Sequence, residues 1–349
     1  MKRAWIVLLA TMVLVVPARC YAAFSLFDPQ KGFYTDGGMF SLVTVFLTVA
    51  GIAAAILLSR KAPAPPIPAE IRSAPSAALA ALAGLFVGGQ AILSVPKIIG
   101  SLSDVTGIGE TAHVVQVLNL MVAVAGLFAT VTLLMSAYDF GLGETLLRRK
   151  PLVALLTPLW SFLSLISLFM TYVATANRFD HVYHTCTTAL ILLFLFSQAK
   201  LFAGIDTERG AKQVLPYGFA AAVFAISDAV PNLALAFTRH TMLGSFPLGM
   251  HLVNLVLTLY ILVYLSAAFR IVSAAETGTA AQESEAELSA EATAPASAAD
   301  PENTVGTEKA AADQVIPECL DFLRKAYPAE ESFRERAQIS VPEIEKQKS

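Results

Sequence analysis

The chain has 349 residues, of which 56% are hydrophobic and only 15% are Asp, Glu, Lys or Arg. A soluble domain of this length carries about a quarter charged residues, so the composition argues against an ordinary soluble globular protein. The formal net charge is −3, and no Lys/Arg cluster with interleaved aromatic residues occurs, which argues against nucleic acid as a partner.

The N-terminal segment, residues 1–23, fits two interpretations. Two basic residues at its start, an apolar run over 4–16 and small residues near its end are typical of a cleaved signal peptide. The alternative is a first transmembrane helix, because the apolar character extends to Phe27 if the Arg19 side chain reaches the membrane surface. Either interpretation places residues 24–38 outside the cell.

Seven further apolar stretches approach or exceed the ~20 residues needed to cross a hydrocarbon layer about 30 Å thick. Lipid offers the backbone no hydrogen-bond partner, so these stretches must be helical. We therefore predict an all-α polytopic membrane helical bundle over 24–271, with seven or eight transmembrane helices. The predicted spans are 39–58, 76–99, 113–137, 151–175, 183–203, 214–237 and 247–271.

The Lys and Arg residues of the connectors predict the orientation of the bundle. Connectors with about three basic residues, such as 148–150, alternate along the chain with connectors that hold one, such as 97–112. This alternation predicts a multi-pass protein of the cytoplasmic (inner) membrane whose C-terminus is cytosolic. The lipid bilayer is then its first partner.

Three histidines suggest an internal repeat. His113, His181 and His251 each lie at the start of a returning span, 68 and 70 residues apart, and a polar residue follows each of them three positions later. Such a period favours tandem helical hairpins that arose by duplication. Chance similarity between apolar helices is the alternative.

The C-terminal segment, residues 272–349, holds 16 acidic and 7 basic residues. Its Ala-, Glu- and Ser-rich first part has little to bury, so we predict a mostly disordered cytosolic tail. Apolar residues recur at helical spacing from Ile316 to Tyr327, which predicts a short amphipathic helix over 316–327. A cytosolic protein that docks on this helix is one interpretation, and a marginal helix without a role is the other.

Polar residues are predicted to gather in the outer half of the bundle. Asp228 is the only acidic residue within the seven predicted spans, and a charge in lipid is costly unless it meets a partner or a cavity. We predict an outward-facing pocket for a small polar solute or ion, the alternative being that the polar groups only bond one another between helices. The candidate ligand-binding residues are Asp228, Asn232, His251, Asn254, His113, Gln116 and His184.

Specific catalytic motifs are missing from the sequence, which has no nucleophile elbow, Walker loop or paired-carboxylate site. We therefore predict no enzymatic activity and assign no catalytic residue. Outer-side histidines leave a metal or haem site open, but without HxxxH or HExxH spacing we assign no cofactor.

The close-packing motif Gly84-x-x-x-Gly88 leaves two partners open for its helix, another helix of the same chain or a second copy in a homo-oligomer. For the whole chain two functions also remain. One is the binding or transport of a small polar solute or ion through the outer polar layer. The other is a membrane sensor or scaffold that recruits a cytosolic partner through its tail.

Overall fold

The structure is a computed structural model, and it describes residues 2–28, 33–60, 71–103, 110–173, 179–239, 243 and 246–292. Within this part of the chain, eight helices are long and apolar enough to cross a membrane. This finding confirms the predicted all-α polytopic bundle. The spans are Arg3–Leu26, Met39–Ser59, Ala74–Ser101, His113–Leu142, Pro151–Thr171, Asp180–Ala203, Arg209–Thr238 and Leu248–Ile271.

The helices of the described residues follow one another with short connections. They are α1 (Lys2–Tyr21), α2 (Met39–Arg60), α3 (Ala74–Ser103), α4 (Glu110–Leu142), α5 (Leu146–Arg149), α6 (Pro151–Ala154), α7 (Leu156–Val173), α8 (Phe179–Ala203), α9 (Thr207–Arg239) and α10 (Leu248–Ala292). A π-helical segment, Ala22–Leu26, extends α1. Two short strands, β1 (Phe27–Asp28) and β2 (Phe33–Tyr34), then pair in antiparallel register.

The helix α9 is the central element of the bundle. Its span is 78% buried, whereas the other seven spans are 28–61% buried. Small residues make this position accessible, because α9 buries four alanines within one and a half turns, where neighbouring helices approach its backbone closely. These alanines are Ala220, Ala221, Ala222 and Ala225.

The first helix belongs to the packed bundle. Ala4 and Leu8 are buried, and the Trp5 ring packs edge-on against Phe219 of α9 at a centroid distance of 5.3 Å. This packing corresponds to the transmembrane alternative for the N-terminal segment. The Arg19 side chain differs from the prediction, since it does not reach the surface but is fully buried.

Two spans are longer than predicted, and each gains an acidic residue. Asp139 lies in the last turn of α4, and Asp180 lies in the first turn of α8. Asp228 is therefore not the only acid within the spans, which corrects the prediction. Asp139 lies at a helix end because its two carboxylate oxygens accept hydrogen bonds from the backbone N–H groups of Leu146 and Leu147, both at 3.0 Å.

The motif Gly84-x-x-x-Gly88 makes its close contact within the chain. A Cβ at Gly88 would lie 2.8 Å from Thr130 Oγ1 of α4, and one at Gly84 would lie 3.2 Å from the Cβ of Leu133. Helices α3 and α4 approach one another at these two glycines because neither has a side chain. The motif thus serves packing inside the protomer.

The helix α10 continues 21 residues beyond the predicted end of the last span at 271. The prediction of disorder therefore differs from the structure over 272–292. Ala and Glu are good helix formers, and extending an existing helix needs no new nucleus, which explains the continuation. The rest of the tail, with the predicted helix 316–327, lies outside the described residues.

The chain divides into two units, 1–284 and 285–349. The membrane bundle belongs to the first unit. Of the second unit the structure describes residues 285–292, which are helical.

Candidate functional site

The candidate site forms where α8, α9 and α10 come together. His184 comes from α8, Asp228 from α9 and His251 from α10, and their side chains are 0%, 0% and 1% exposed. We call these three residues the His–Asp–His cluster. Because each comes from a different helix, the cluster exists only when the three helices are packed.

The two histidines face the two oxygens of one carboxylate. His184 Nε2 lies 3.0 Å from Asp228 Oδ1, and His251 Nδ1 lies 3.5 Å from Asp228 Oδ2. The two imidazole ring centroids are 5.1 Å apart. A carboxylate withdrawn from water is very unfavourable unless a positive charge or several hydrogen bonds compensate it, so this cluster is a site for a proton or another cation.

Asn232 holds the carboxylate from the next turn of α9. Its Nδ2 donates to the backbone oxygen of Asp228 at 2.9 Å and lies 3.4 Å from Asp228 Oδ1. Its own Oδ1 accepts a hydrogen bond from the backbone N–H of Leu243 at 3.0 Å. Asn232 therefore links the orientation of Asp228 to the connector between α9 and α10.

Phe246, from the same connector, covers the two imidazoles. Its ring stacks on His184 at a centroid distance of 4.7 Å and meets His251 edge-on at 5.1 Å. Phe246 is itself 8% exposed. An aromatic ring in this position excludes water from the cluster and lowers the local polarity, which strengthens every electrostatic interaction inside it.

Some bonding capacity of the cluster is unused among the described residues. Asp228 Oδ2, both ring nitrogens of His251 and Asn254 Nδ2 are buried and have no hydrogen-bond partner of good geometry there. Buried polar groups are normally hydrogen-bonded, and an unsatisfied one costs about 1–3 kcal/mol. Such a group of unsatisfied atoms needs an explanation.

A metal ion is one ligand that fits this donor set. His184, Asp228 and His251 each offer one ligand atom, and the three atoms lie within 4.8 Å of one another. Two imidazole nitrogens and one carboxylate oxygen are a common set of ligands for transition metals.

The structure brings five of the seven predicted ligand-binding residues together. His184, Asp228 and His251 form the cluster, Asn232 supports it, and Asn254 lies three residues after His251 on α10 and is buried. Thr258, one turn further, donates its hydroxyl to the Asn254 backbone oxygen at 2.6 Å.

The remaining two predicted residues, His113 and Gln116, lie near the start of α4 and are partly exposed. Helix α4 packs on α3 and α7. Among the described residues no hydrogen bond, ion pair or ring contact joins His113 or Gln116 to the cluster. The same layer of α4 carries Asn119, whose side-chain oxygen accepts a hydrogen bond from Ser167 of α7.

A second buried charge network, which the sequence did not predict, lies one turn away on α8. Arg19 Nη2 of α1 lies 2.8 Å from Asp180 Oδ1, and the Tyr34 hydroxyl donates to the same oxygen at 3.0 Å. The Arg19 guanidinium also lies 4.0 Å from the ring centroid of Tyr183. Burial raises the pKa of Tyr34, so its hydroxyl keeps its proton and remains a donor.

Comparison with known proteins finds no matching family model, no similar curated protein and no similar solved structure. The functional argument therefore depends on the chemistry of the site itself.

Proposed function

We propose that this multi-pass membrane protein binds a small polar solute or ion at the His–Asp–His cluster and transports it across the bilayer. The observation that carries the proposal is Asp228, a fully buried carboxylate on the central helix between imidazoles from two other helices. Acidic and histidine residues inside membrane bundles are costly, and they typically mark ion or proton pathways.

The irregularity of α9 supports transport over a purely structural role. This helix contains Pro216 and Pro231, and each lacks the N–H that would bond the preceding turn. Proline-interrupted helices near a buried polar site are typical of transporters, where the backbone changes conformation around the bound solute. Pro231 lies three residues from Asp228, so a change at this point of α9 would alter the cluster directly.

The proposal includes a location and a direction. The basic connectors place the end of the bundle that holds Lys200 and Lys212 on the cytosolic side of the inner membrane. The cluster lies near the opposite end of α8, so the solute enters from the outside. We assign the chain no enzymatic activity.

The test measures charge movement by the reconstituted full-length protein. Proteoliposomes adsorbed on a solid-supported membrane would be exposed to jumps in H⁺, Na⁺, Zn²⁺ and neutral amino acids, and the transient current would be recorded. We expect wild-type protein to respond to at least one of these probes, and Asp228→Asn to lose the response. Transport is contradicted if wild-type liposomes behave like empty ones for every probe, or if Asp228→Asn responds like wild type.

Asp139→Asn is the matched control, because it makes the same carboxylate-to-amide change in a membrane helix outside the cluster. We expect this variant to keep its current. Size-exclusion chromatography of both variants checks that they fold. Removal of residues 293–349 separates transport from recruitment of a cytosolic partner, since a transporter keeps its current without the tail.

A further inference from the structure

We infer that the ligand of the His–Asp–His cluster is a divalent transition-metal cation of the Zn²⁺ type, bound by His184 Nε2, one oxygen of Asp228 and His251 Nδ1. This inference rests on the proposed function, because it names the class of ion that the proposed site binds. It goes further by assigning the ligand atoms.

The distances between the ligand atoms fit a small ion. Zn–N and Zn–O bonds are about 2.0–2.2 Å long, so two ligands of a tetrahedral ion lie about 3.3–3.5 Å apart. The cluster has nitrogen–oxygen distances of 3.0 and 3.5 Å. Side-chain shifts of a few tenths of an ångström would therefore complete the coordination of one ion.

The kinds of donor atom select the class of cation. Na⁺, K⁺, Mg²⁺ and Ca²⁺ prefer oxygen ligands, whereas imidazole nitrogen suits Zn²⁺, Cu²⁺, Ni²⁺ and Fe²⁺. Two of the three ligands here are imidazoles, His184 and His251. The cluster therefore favours a transition metal over the more abundant alkali and alkaline-earth cations.

A shared proton explains the cluster less well than a metal does. A proton between Asp228 and His251 requires a short, well-aligned hydrogen bond, but Nδ1 and Oδ2 are 3.5 Å apart and neither has a hydrogen-bond partner among the described residues. One ion bound to both residues would satisfy these two buried atoms together. Both imidazoles bind the ion in the neutral form, so any proton held by the cluster is released.

Three protein ligands leave one coordination position open, which distinguishes exchangeable and catalytic zinc sites from structural ones with four protein ligands. Asn232 acts as a positioning residue, because its amide holds Asp228 from outside the set of ligands. An ion held by three ligands and one exchangeable position can leave again, as transport requires.

The experiment uses Co²⁺ as a probe on the purified full-length protein in detergent. Co²⁺ bound by nitrogen and oxygen in tetrahedral geometry absorbs in the visible region, and Zn²⁺ displaces it. We expect one Co²⁺ per chain, displaced by one equivalent of Zn²⁺. His184→Gln and His251→Gln should each weaken binding at least 100-fold, and Asn232→Ala should weaken it about 10–100-fold, as loss of an orienting partner does.

His113→Gln is the matched control, because it removes a histidine of a membrane helix that makes no contact with the cluster. We expect it to bind Co²⁺ like wild type. Circular dichroism and size-exclusion chromatography verify that each variant is folded. A folded wild-type protein that binds no Co²⁺, or unchanged binding in both folded cluster variants, would overturn the assignment.

The outcomes separate the metal assignment from transport. If Co²⁺ does not bind but an Asp228-dependent current occurs with another probe, the metal assignment fails and the transport proposal stands. If Co²⁺ binds at the cluster and no probe produces a current, the metal site stands and the transport proposal fails. If neither is observed, both fail.

Discussion

Arg19 and Asp180 form a fully buried ion pair across 161 positions of the sequence, with a nitrogen–oxygen distance of 2.8 Å and side chains that are 0% and 1% exposed. The pair joins the first helix to α8 within one turn of His184. The first helix is thus connected to the helix that supplies one ligand of the candidate site.

Removal of one partner of this pair should destabilise the bundle strongly. Arg19→Ala leaves the Asp180 carboxylate buried without compensation, and breaking a buried pair in this way costs about 3–5 kcal/mol. We expect a clear fall in the temperature at which the detergent-solubilised protein unfolds, measured by intrinsic fluorescence.

The double variant Arg19→Met, Asp180→Asn is the control for this prediction. It removes both charges and keeps the volume of the side chains, so most of the lost stability should return, as is common for buried pairs replaced together. If Arg19→Ala unfolds at the wild-type temperature, the pair does not exist in the protein.

Phe246 should control the access of reagents to the cluster. Its ring lies against both His184 and His251, so Phe246→Ala opens a path to imidazoles that are otherwise buried. We expect diethyl pyrocarbonate to modify these two histidines several-fold faster in the variant, as measured by mass spectrometry of peptides.

The partly exposed His113 serves as the internal reference for this experiment, because its rate of modification should be the same in both proteins. Equal protection of His184 and His251 in Phe246→Ala would contradict the covering role. A faster rate at all three histidines would indicate general unfolding.

The helices and the central carboxylate could be predicted from the sequence because their signals are local. Length and apolar character define a span without knowledge of its neighbours. The cost of a charge in lipid makes Asp228 significant for the same reason. Depth along a helix also follows from counting residues, which brought His184 and His251 to the level of Asp228.

The direction in which a residue faces could not be predicted, because it depends on which helices are neighbours. His113 and Gln116 were assigned to the pocket by depth alone, yet α4 packs on α3 and α7. Phe246 carries no signal, since a single aromatic residue in a connector has no periodicity. The Arg19–Asp180 pair was missed because the predicted span began at 183, three residues too late.

Asp36 caps the second transmembrane helix and should make its start sensitive to acid. The carboxylate accepts hydrogen bonds from the backbone N–H groups of Phe40 at 2.8 Å and Gly38 at 2.9 Å. These bonds hold the pKa of Asp36 below its usual value. A lowered pKa in the folded state stabilises the protein above the unfolded pKa, and this contribution is lost as the pH falls through the folded pKa.

We therefore expect Asp36→Ala to cost about 1 kcal/mol near neutral pH, the usual effect of removing an N-terminal cap. The difference in unfolding temperature between wild type and variant should shrink from about pH 5 to pH 3, where the carboxylate takes up a proton. Asp36→Asn keeps a capping oxygen without a charge, so it should retain most of the stability at both pH values. A difference that grows in acid would contradict the cap.

Gly88 and Gly89 provide a matched test of the contact between α3 and α4. A Cβ at Gly88 would lie 2.8 Å from Thr130 Oγ1, whereas one at Gly89 meets nothing within 4 Å. Both glycines are helical, so Ala at either position gains about 0.5–1 kcal/mol of helix propensity. At Gly88 the overpacking should exceed this gain, with a net cost of about 1–2 kcal/mol.

We expect Gly88→Ala to unfold at a lower temperature than wild type, and Gly89→Ala to unfold at the same or a higher temperature. The added variant Thr130→Ala should rescue Gly88→Ala, because it removes the two atoms that the new methyl group approaches most closely. If instead Gly88→Ala shifts the protein from one oligomeric state to another with unchanged thermal stability, the glycine motif contacts a second copy rather than α4.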